Sequence, residues 1–136
     1  MSADITVRQI MRTIVSIDSK AKAKDAARLM VEKRIGSLVA NREGLPFGII
    51  TERDMMEKIV AQGIDPAKVT VAEIMTVPLA TVDASASLND AARKMVEKQM
   101  KRLVVTEHDK IIGIVSQTDL IQHMTDFQKL AKMGMT

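Results

Sequence analysis

Apolar residues recur at helical spacing in two stretches of the chain: Ala27, Met30, Val31 and Ile35 mark one, and Ala92, Met95, Val96 and Met100 the other. This spacing predicts two amphipathic helices, each with one buried stripe. Behind each helix the period changes. The short runs Ser37 to Ala40 and Phe47 to Ile50 flank Asn41-Arg-Glu-Gly44, and the runs Leu103 to Thr106 and Lys110 to Val115 flank Glu107-His-Asp109. Each set predicts a β-hairpin. A further helix is predicted after each hairpin, over Arg53 to Ala61 and from Thr118 to about Met133. Helix starts are marked at Thr6…Gln9, Thr70…Glu73 and Ser87…Asp90, where a hydroxyl residue precedes an acid or amide by three positions. Lys22 takes the place of Ser87 in the first stretch, so that helix should begin less crisply.

The two halves of this pattern are copies of each other. Asp25 to Lys33 reads DAARLMVEK and Asp90 to Lys98 reads DAARKMVEK, identical at eight of nine positions at an offset of 65. Gly48-Ile-Ile-Thr-Glu-Arg-Asp54 falls on Gly113-Ile-Val-Ser-Gln-Thr-Asp119 at the same offset, and Val7-Arg-Gln-Ile-Met11 falls on Val71-Ala-Glu-Ile-Met75 at an offset of 64. The chain therefore divides into a repeat over 6–62, a second over 70–124 and an extension over 125–136, with Gly63-Ile-Asp-Pro66 at the boundary between repeats.

Composition narrows the function classes. With 136 residues, 46% of them hydrophobic and 27% charged, the chain suits one compact core, or two very small units that share one, and not a disordered or fibrous class. No run approaches the roughly 18 apolar residues of a membrane helix, and the start MSADITVRQIM lacks a signal-peptide layout, so a soluble cytoplasmic protein is expected. The absence of cysteine excludes disulfides, thiolate metal sites and cysteine nucleophiles, and His108 and His123 have no partner at ligand spacing, so no metal site is expected. No carboxylate pair or nucleophile–base combination can be assembled, so neither a catalytic residue nor a catalytic cofactor is expected and the chain reads as a non-enzyme. The formal charge of +3 is spread among acids, and with no Trp or Tyr and only Phe47 and Phe127 there is no stacking platform for single-stranded nucleic acid. Nucleic-acid binding, drawing on Lys20, Lys22 and Lys24, is the weakest of the binding readings.

The chemistry concentrates in the doubled motif Gly-x-x-Thr/Ser-x-x-Asp, which sets a hydroxyl and a carboxylate three apart where a strand becomes a helix. Two readings are open. In one, Thr51 or Ser116 caps the helix and Asp54 or Asp119 complements its dipole. In the other, the free amides and the hydroxyl bind a phosphate while the carboxylate accepts hydrogen bonds from two ribose hydroxyls.

The order helix, hairpin, motif, helix, given twice and preceded each time by a short Ile-Met segment, resembles the paired cystathionine β-synthase (CBS) domains known as the Bateman module, over roughly Thr6 to Met124. The resemblance implies an α/β (α+β) fold of two β-α-β-β-α CBS repeats packed about a pseudo-twofold axis, with two clefts. It also implies adenine-nucleotide ligands (AMP, ADP or ATP, or else S-adenosylmethionine or NAD) and a homodimer; the leading reading is then a ligand-sensing module that acts on a separate protein effector as partner. By position, Asp54 would hold the ribose and Thr51 the phosphate in one cleft, with Asp119 and Ser116 doing so in the other; adenine would lie near Ile14 to Ile17 and Leu79 to Val82. Here the chain also resembles the AMP-kinase regulatory subunit, in which a basic pair opening the hairpin strand of one repeat reaches the phosphate held by the other. Lys101 and Arg102 occupy that place and would serve the Thr51/Asp54 cleft, while Gly36-Ser37 would leave the Ser116/Asp119 cleft less cationic. The alternative is a structural dimerisation module with vestigial clefts. An apolar side on the last helix, Leu120, Ile121, Met124, Phe127 and Ala131, is the predicted dimer face.

Overall fold

The structure, a computed structural model, describes residues 5–123. The first repeat forms α1 (Val7–Ile10), β1 (Ser16–Asp18), α2 (Ala23–Lys33), β2 (Ser37–Arg42), β3 (Leu45–Thr51) and α3 (Glu52–Met55), which widens into a π-turn over Met56–Val60. The second forms α4 (Val71–Ile74), β4 (Thr81–Asp83), α5 (Leu88–Lys98), β5 (Arg102–Glu107), β6 (Lys110–Ser116) and α6 (Gln117–His123). Each repeat contributes one three-stranded sheet, ordered β1-β2-β3 and β4-β5-β6, in which a parallel pair joins an antiparallel hairpin. Among the described residues no helix is long and apolar enough to cross a membrane.

The packing units do not coincide with the sequence repeats. One unit comprises Ile14–Leu79; the other joins the N-terminal residues through Thr13 to those from Ala80 onward. The short helices explain the exchange, because a four-residue helix leaves its first amides without intrahelical acceptors. Those of α1 find them in the β4–α5 connection, with Val7 N donating to Ala86 O at 2.9 Å and Arg8 N to Ala84 O at 3.1 Å. Those of α4 find them in the β1–α2 connection, with Val71 N donating to Ala21 O at 2.8 Å and Ala72 N to Ser19 O at 2.9 Å. Each short helix thus belongs to the unit whose loop satisfies it.

The core of the Ile14–Leu79 unit gathers Ala23, Ala26 and Met30 of α2 with Leu38, Ala40, Ile50, Ile59, Val71 and Ile74. The other unit repeats it with Ala91 and Met95 of α5 against Leu103, Val105, Val115, Leu120, Val7 and Ile10. The buried stripes differ from the predicted ones at Val31 and Val96, which are 78% and 77% exposed. With Met30 or Met95 turned into the core, the next residue lies about 100° further round the helix and faces outward. The hairpins run further than the apolar runs suggested. Only Glu43-Gly44 and His108-Asp109 turn, all four with positive φ, the twist that a two-residue hairpin loop needs. Lys22 precedes α2 with no side-chain cap, and Asp25 reaches back to its amide at 3.3 Å.

Candidate functional site

Both copies of the motif sit where the last strand of a sheet turns into a helix. The capping geometry is present in each: Asp54 N donates to Thr51 Oγ1 at 3.2 Å and Asp119 N to Ser116 Oγ at 3.1 Å, while the carboxylates accept from Thr51 N at 2.9 Å and Ser116 N at 3.0 Å. Burial separates these two turns from the chain's ordinary caps. At the starts of α1, α2, α4 and α5 the capping acid or amide, Gln9, Asp25, Glu73 and Asp90, is exposed, whereas Asp54 and Asp119 are 5% and 4% exposed. A buried carboxylate is costly unless compensated.

The compensation comes from residues outside the motif. Lys58 Nζ lies 2.9 Å from Asp54 Oδ1 and donates to Ile74 O at 2.8 Å; its own segment is the π-turn that follows α3. Thr76 Oγ1 donates to the same Oδ1 at 3.1 Å. In the other unit Arg12 Nε donates to Asp119 Oδ1 at 2.8 Å. Burial raises the pKa of Asp119, but the hydrogen bonds from Arg12 and Ser116 outweigh it and hold the carboxyl below its ordinary value.

Thr76 and Arg12 occupy the same place in the repeat, immediately after Ile-Met, and the motif glycine accommodates the segment that carries them. Thr76 exchanges two backbone hydrogen bonds with Ile49, at 2.8 and 2.9 Å, and Arg12 does so with Ile114, at 2.8 and 3.0 Å. A Cβ on Gly48 would stand 2.9 Å from Thr76 O and 2.8 Å from Val77 Cγ1, and one on Gly113 would stand 2.5 Å from Met11 Sδ. The glycine of Gly-x-x-Thr/Ser-x-x-Asp is thus explained by the close approach of the Thr76 carbonyl and Val77 at Gly48 and of the Met11 side chain at Gly113.

The remaining predicted residues are distributed as follows. Ile14 and Ile17 are half-buried beside and within β1, and Leu79 is half-buried before β4. Val82, at the centre of β4, is 5% exposed and packed in the core, so its side chain is committed there. Lys101 is exposed at the entrance to β5, and Arg102 stands directly opposite Ser116 across β5 and β6. Sequence reasoning missed Arg12, Lys58 and Thr76. The signal was available in part: Arg12 and Thr76 directly follow the aligned Ile-Met pairs, and Lys58 lies four residues after Asp54. Among the described residues no group of three or more His, Asp or Glu is placed to hold a metal.

Two small α+β units, each with a buried and compensated carboxylate at a strand-to-helix turn, define a paired module built by duplication. The chain belongs to the CBS domain family, whose model matches residues 7–61 and again 71–126. An uncharacterized protein of Methanopyrus kandleri is 39% identical over 121 residues, 87% of this chain, and the chain spans 62% of that relative's length. A CBS-domain protein of Burkholderia ambifaria, described as a candidate for signal transduction, has the same fold at a TM-score of 0.84 and 34% identity, over 91% of this chain and 96% of that one. A hexameric CBS-CP12 protein from bloom-forming cyanobacteria matches at a TM-score of 0.85 and 30% identity, over 95% of this chain and 77% of that one.

Proposed function

We propose that this chain is a non-catalytic sensor that binds an adenine nucleotide through its two motif turns and passes the ligand state to a partner protein. The observation that carries the reading is the paired, charge-compensated burial of Asp54 and Asp119 at matching turns, which sets them apart from the exposed caps of α1, α2, α4 and α5; a carboxylate held in this way can accept hydrogen bonds from ribose hydroxyls. Thr51 and Ser116 are then the phosphate-side hydroxyls, and Ile14, Ile17, Leu79 and Val82 lie in the segments assigned to adenine. Lys101 and Arg102 are assigned to phosphate. AMP, ADP and ATP are the first candidates, and S-adenosylmethionine or NAD the alternatives. The test is a thermal-shift panel with AMP, ADP, ATP, S-adenosylmethionine and NADH. A ligand at about 100 times its dissociation constant adds roughly 2.7 kcal/mol to stability. A clear shift with an adenine nucleotide supports the reading; no shift with any of the five defeats it and favours a structural module.

Self-association belongs to the same proposal. Each unit has an open apolar groove of several hundred Å³ at the corresponding place. One, of about 490 Å³, is bordered by Met30, Val31, Met55 and Met56, and the other, of about 360 Å³, by Met95, Val96, Met100 and Ile121. A feature repeated at matching positions suits a second copy of the chain as its occupant. Of the dimer face expected from sequence, Met124, Phe127 and Ala131 lie outside the described residues.

A further inference from the structure

Asp54 and Asp119 hold corresponding places, yet their oxygens are engaged differently. An ionised carboxylate has about four acceptor positions. Asp54 receives a donor at each: Thr51 N at 2.9 Å and Thr51 Oγ1 at 3.1 Å on Oδ2, and Lys58 Nζ at 2.9 Å and Thr76 Oγ1 at 3.1 Å on Oδ1. Among the described residues Asp119 receives two within hydrogen-bonding distance, Arg12 Nε on Oδ1 at 2.8 Å and Ser116 N on Oδ2 at 3.0 Å. The Ser116 hydroxyl adds an attraction that helps lower the Asp119 pKa. With the motif hydroxyl rotated away in both units, Asp119 keeps about two positions open and Asp54 about one. A ribose presents two hydroxyls.

The cations differ as well. Lys58 shares its ammonium between Asp54 and the Ile74 carbonyl. Arg12 engages Asp119 through Nε alone, its side chain is 67% exposed, and its two Nη groups have no partner among the described residues. A guanidinium is a rigid planar fork, so the Nη pair stays available to a phosphate while Nε keeps its carboxylate. The two backbone bonds to Ile114 hold Arg12 at the turn in advance of ligand. Arg102, opposite Ser116 in the register, adds positive charge in the same unit.

We propose that the Ser116/Asp119 site is the first ribose site of this chain to fill, and that Arg12 is the residue that makes it prefer a phosphate-bearing ribose. The Asp54 site is occupied by the chain's own Lys58 and Thr76 and fills only when one of them yields. This inference rests on the nucleotide reading above, and it reverses the order that Lys101 and Arg102 suggested from sequence.

Titration calorimetry with AMP and with adenosine tests it on the wild-type chain and on Arg12→Gln, Asp119→Asn and Asp54→Asn. Arg12→Gln is expected to weaken AMP roughly ten- to a hundredfold and to leave adenosine within about threefold. Asp119→Asn is expected to weaken the first binding step at least about tenfold more than Asp54→Asn does. Because Asp119 is buried and Arg12 compensates it, the variants of both need a folding check; within folded Arg12→Gln, the ratio of AMP to adenosine affinity separates a lost phosphate contact from a general loss of the site. A larger loss from Asp54→Asn, or equal weakening of AMP and adenosine by Arg12→Gln, overturns this assignment while nucleotide binding stands. A wild-type chain that binds neither AMP nor adenosine at millimolar concentration overturns both.

Discussion

Replacing Gly48 and Gly113 by alanine should have unequal effects, although both open the same motif. The added methyl at Gly48 meets a backbone carbonyl, Thr76 O, at 2.9 Å, together with Val77 Cγ1 at 2.8 Å and Met75 Sδ at 3.0 Å. The carbonyl cannot withdraw without loosening the exchanged bonds between Thr76 and Ile49, and Thr76 also donates to Asp54. At Gly113 the closest atoms, at 2.5 and 2.9 Å, are the sulfur and Cγ of Met11, a flexible side chain, and the backbone oxygen of Arg12 is further off at 3.1 Å. Overpacking costs typically about 1–3 kcal/mol, and Gly48→Ala belongs at the upper end, about 2–3 kcal/mol, with Gly113→Ala nearer 1 kcal/mol. Urea unfolding followed by circular dichroism measures both, with the slope checked so that a change in midpoint reads as a change in stability. If Gly113→Ala is the more damaging of the two, or if Gly48→Ala is neutral, the close-approach explanation of the motif glycine is wrong.

Three further outcomes are expected. Lys58→Met should destabilise the fold by about 1–2 kcal/mol in the same assay, because it strips the cation from buried Asp54; the partial exposure of Lys58 keeps the loss below that of a fully buried pair. The folded-state pKa of Asp119 lies below its unfolded value, so its contribution is present above about pH 4 and is lost as pH falls through the lowered value. Arg12→Gln should therefore move the acid limb of the stability curve to higher pH, as urea midpoints between pH 2 and 6 would show. Val31→Asp and Val96→Asp, at exposed positions, should change stability by no more than about 0.5 kcal/mol yet weaken self-association in sedimentation velocity; an unchanged sedimentation coefficient would remove the grooves as the contact face.

The doubled architecture was legible because duplication left two independent copies of every signal. The helical spacing of Met30 and Met95, the hairpin runs and the motif all recur, and each became an observed element. Which residue of a stripe faces inward was less legible: Val31 and Val96 read as core by spacing, but the small Ala23, Ala26 and Ala91 hold the buried faces. Hydropathy does not report how closely a helix approaches its sheet. The exchange of α1 and α4 between repeats could not be read from local pattern either, since it follows from backbone acceptors in distant loops. At the site, the motif residues were visible and their charge partners were not. Arg12 lies 107 residues from Asp119, and Thr76 lies 22 from Asp54, so only the fold brings them together.

The most direct test of the central claim is amide chemical-shift mapping during an AMP titration. Saturable shifts are expected, concentrated at residues 51–54 and 116–119 and at the segments 12–17 and 76–82 that pack beside them or carry the adenine assignment. No shift at millimolar AMP, or shifts confined to the groove residues around Val31 and Val96, would contradict it.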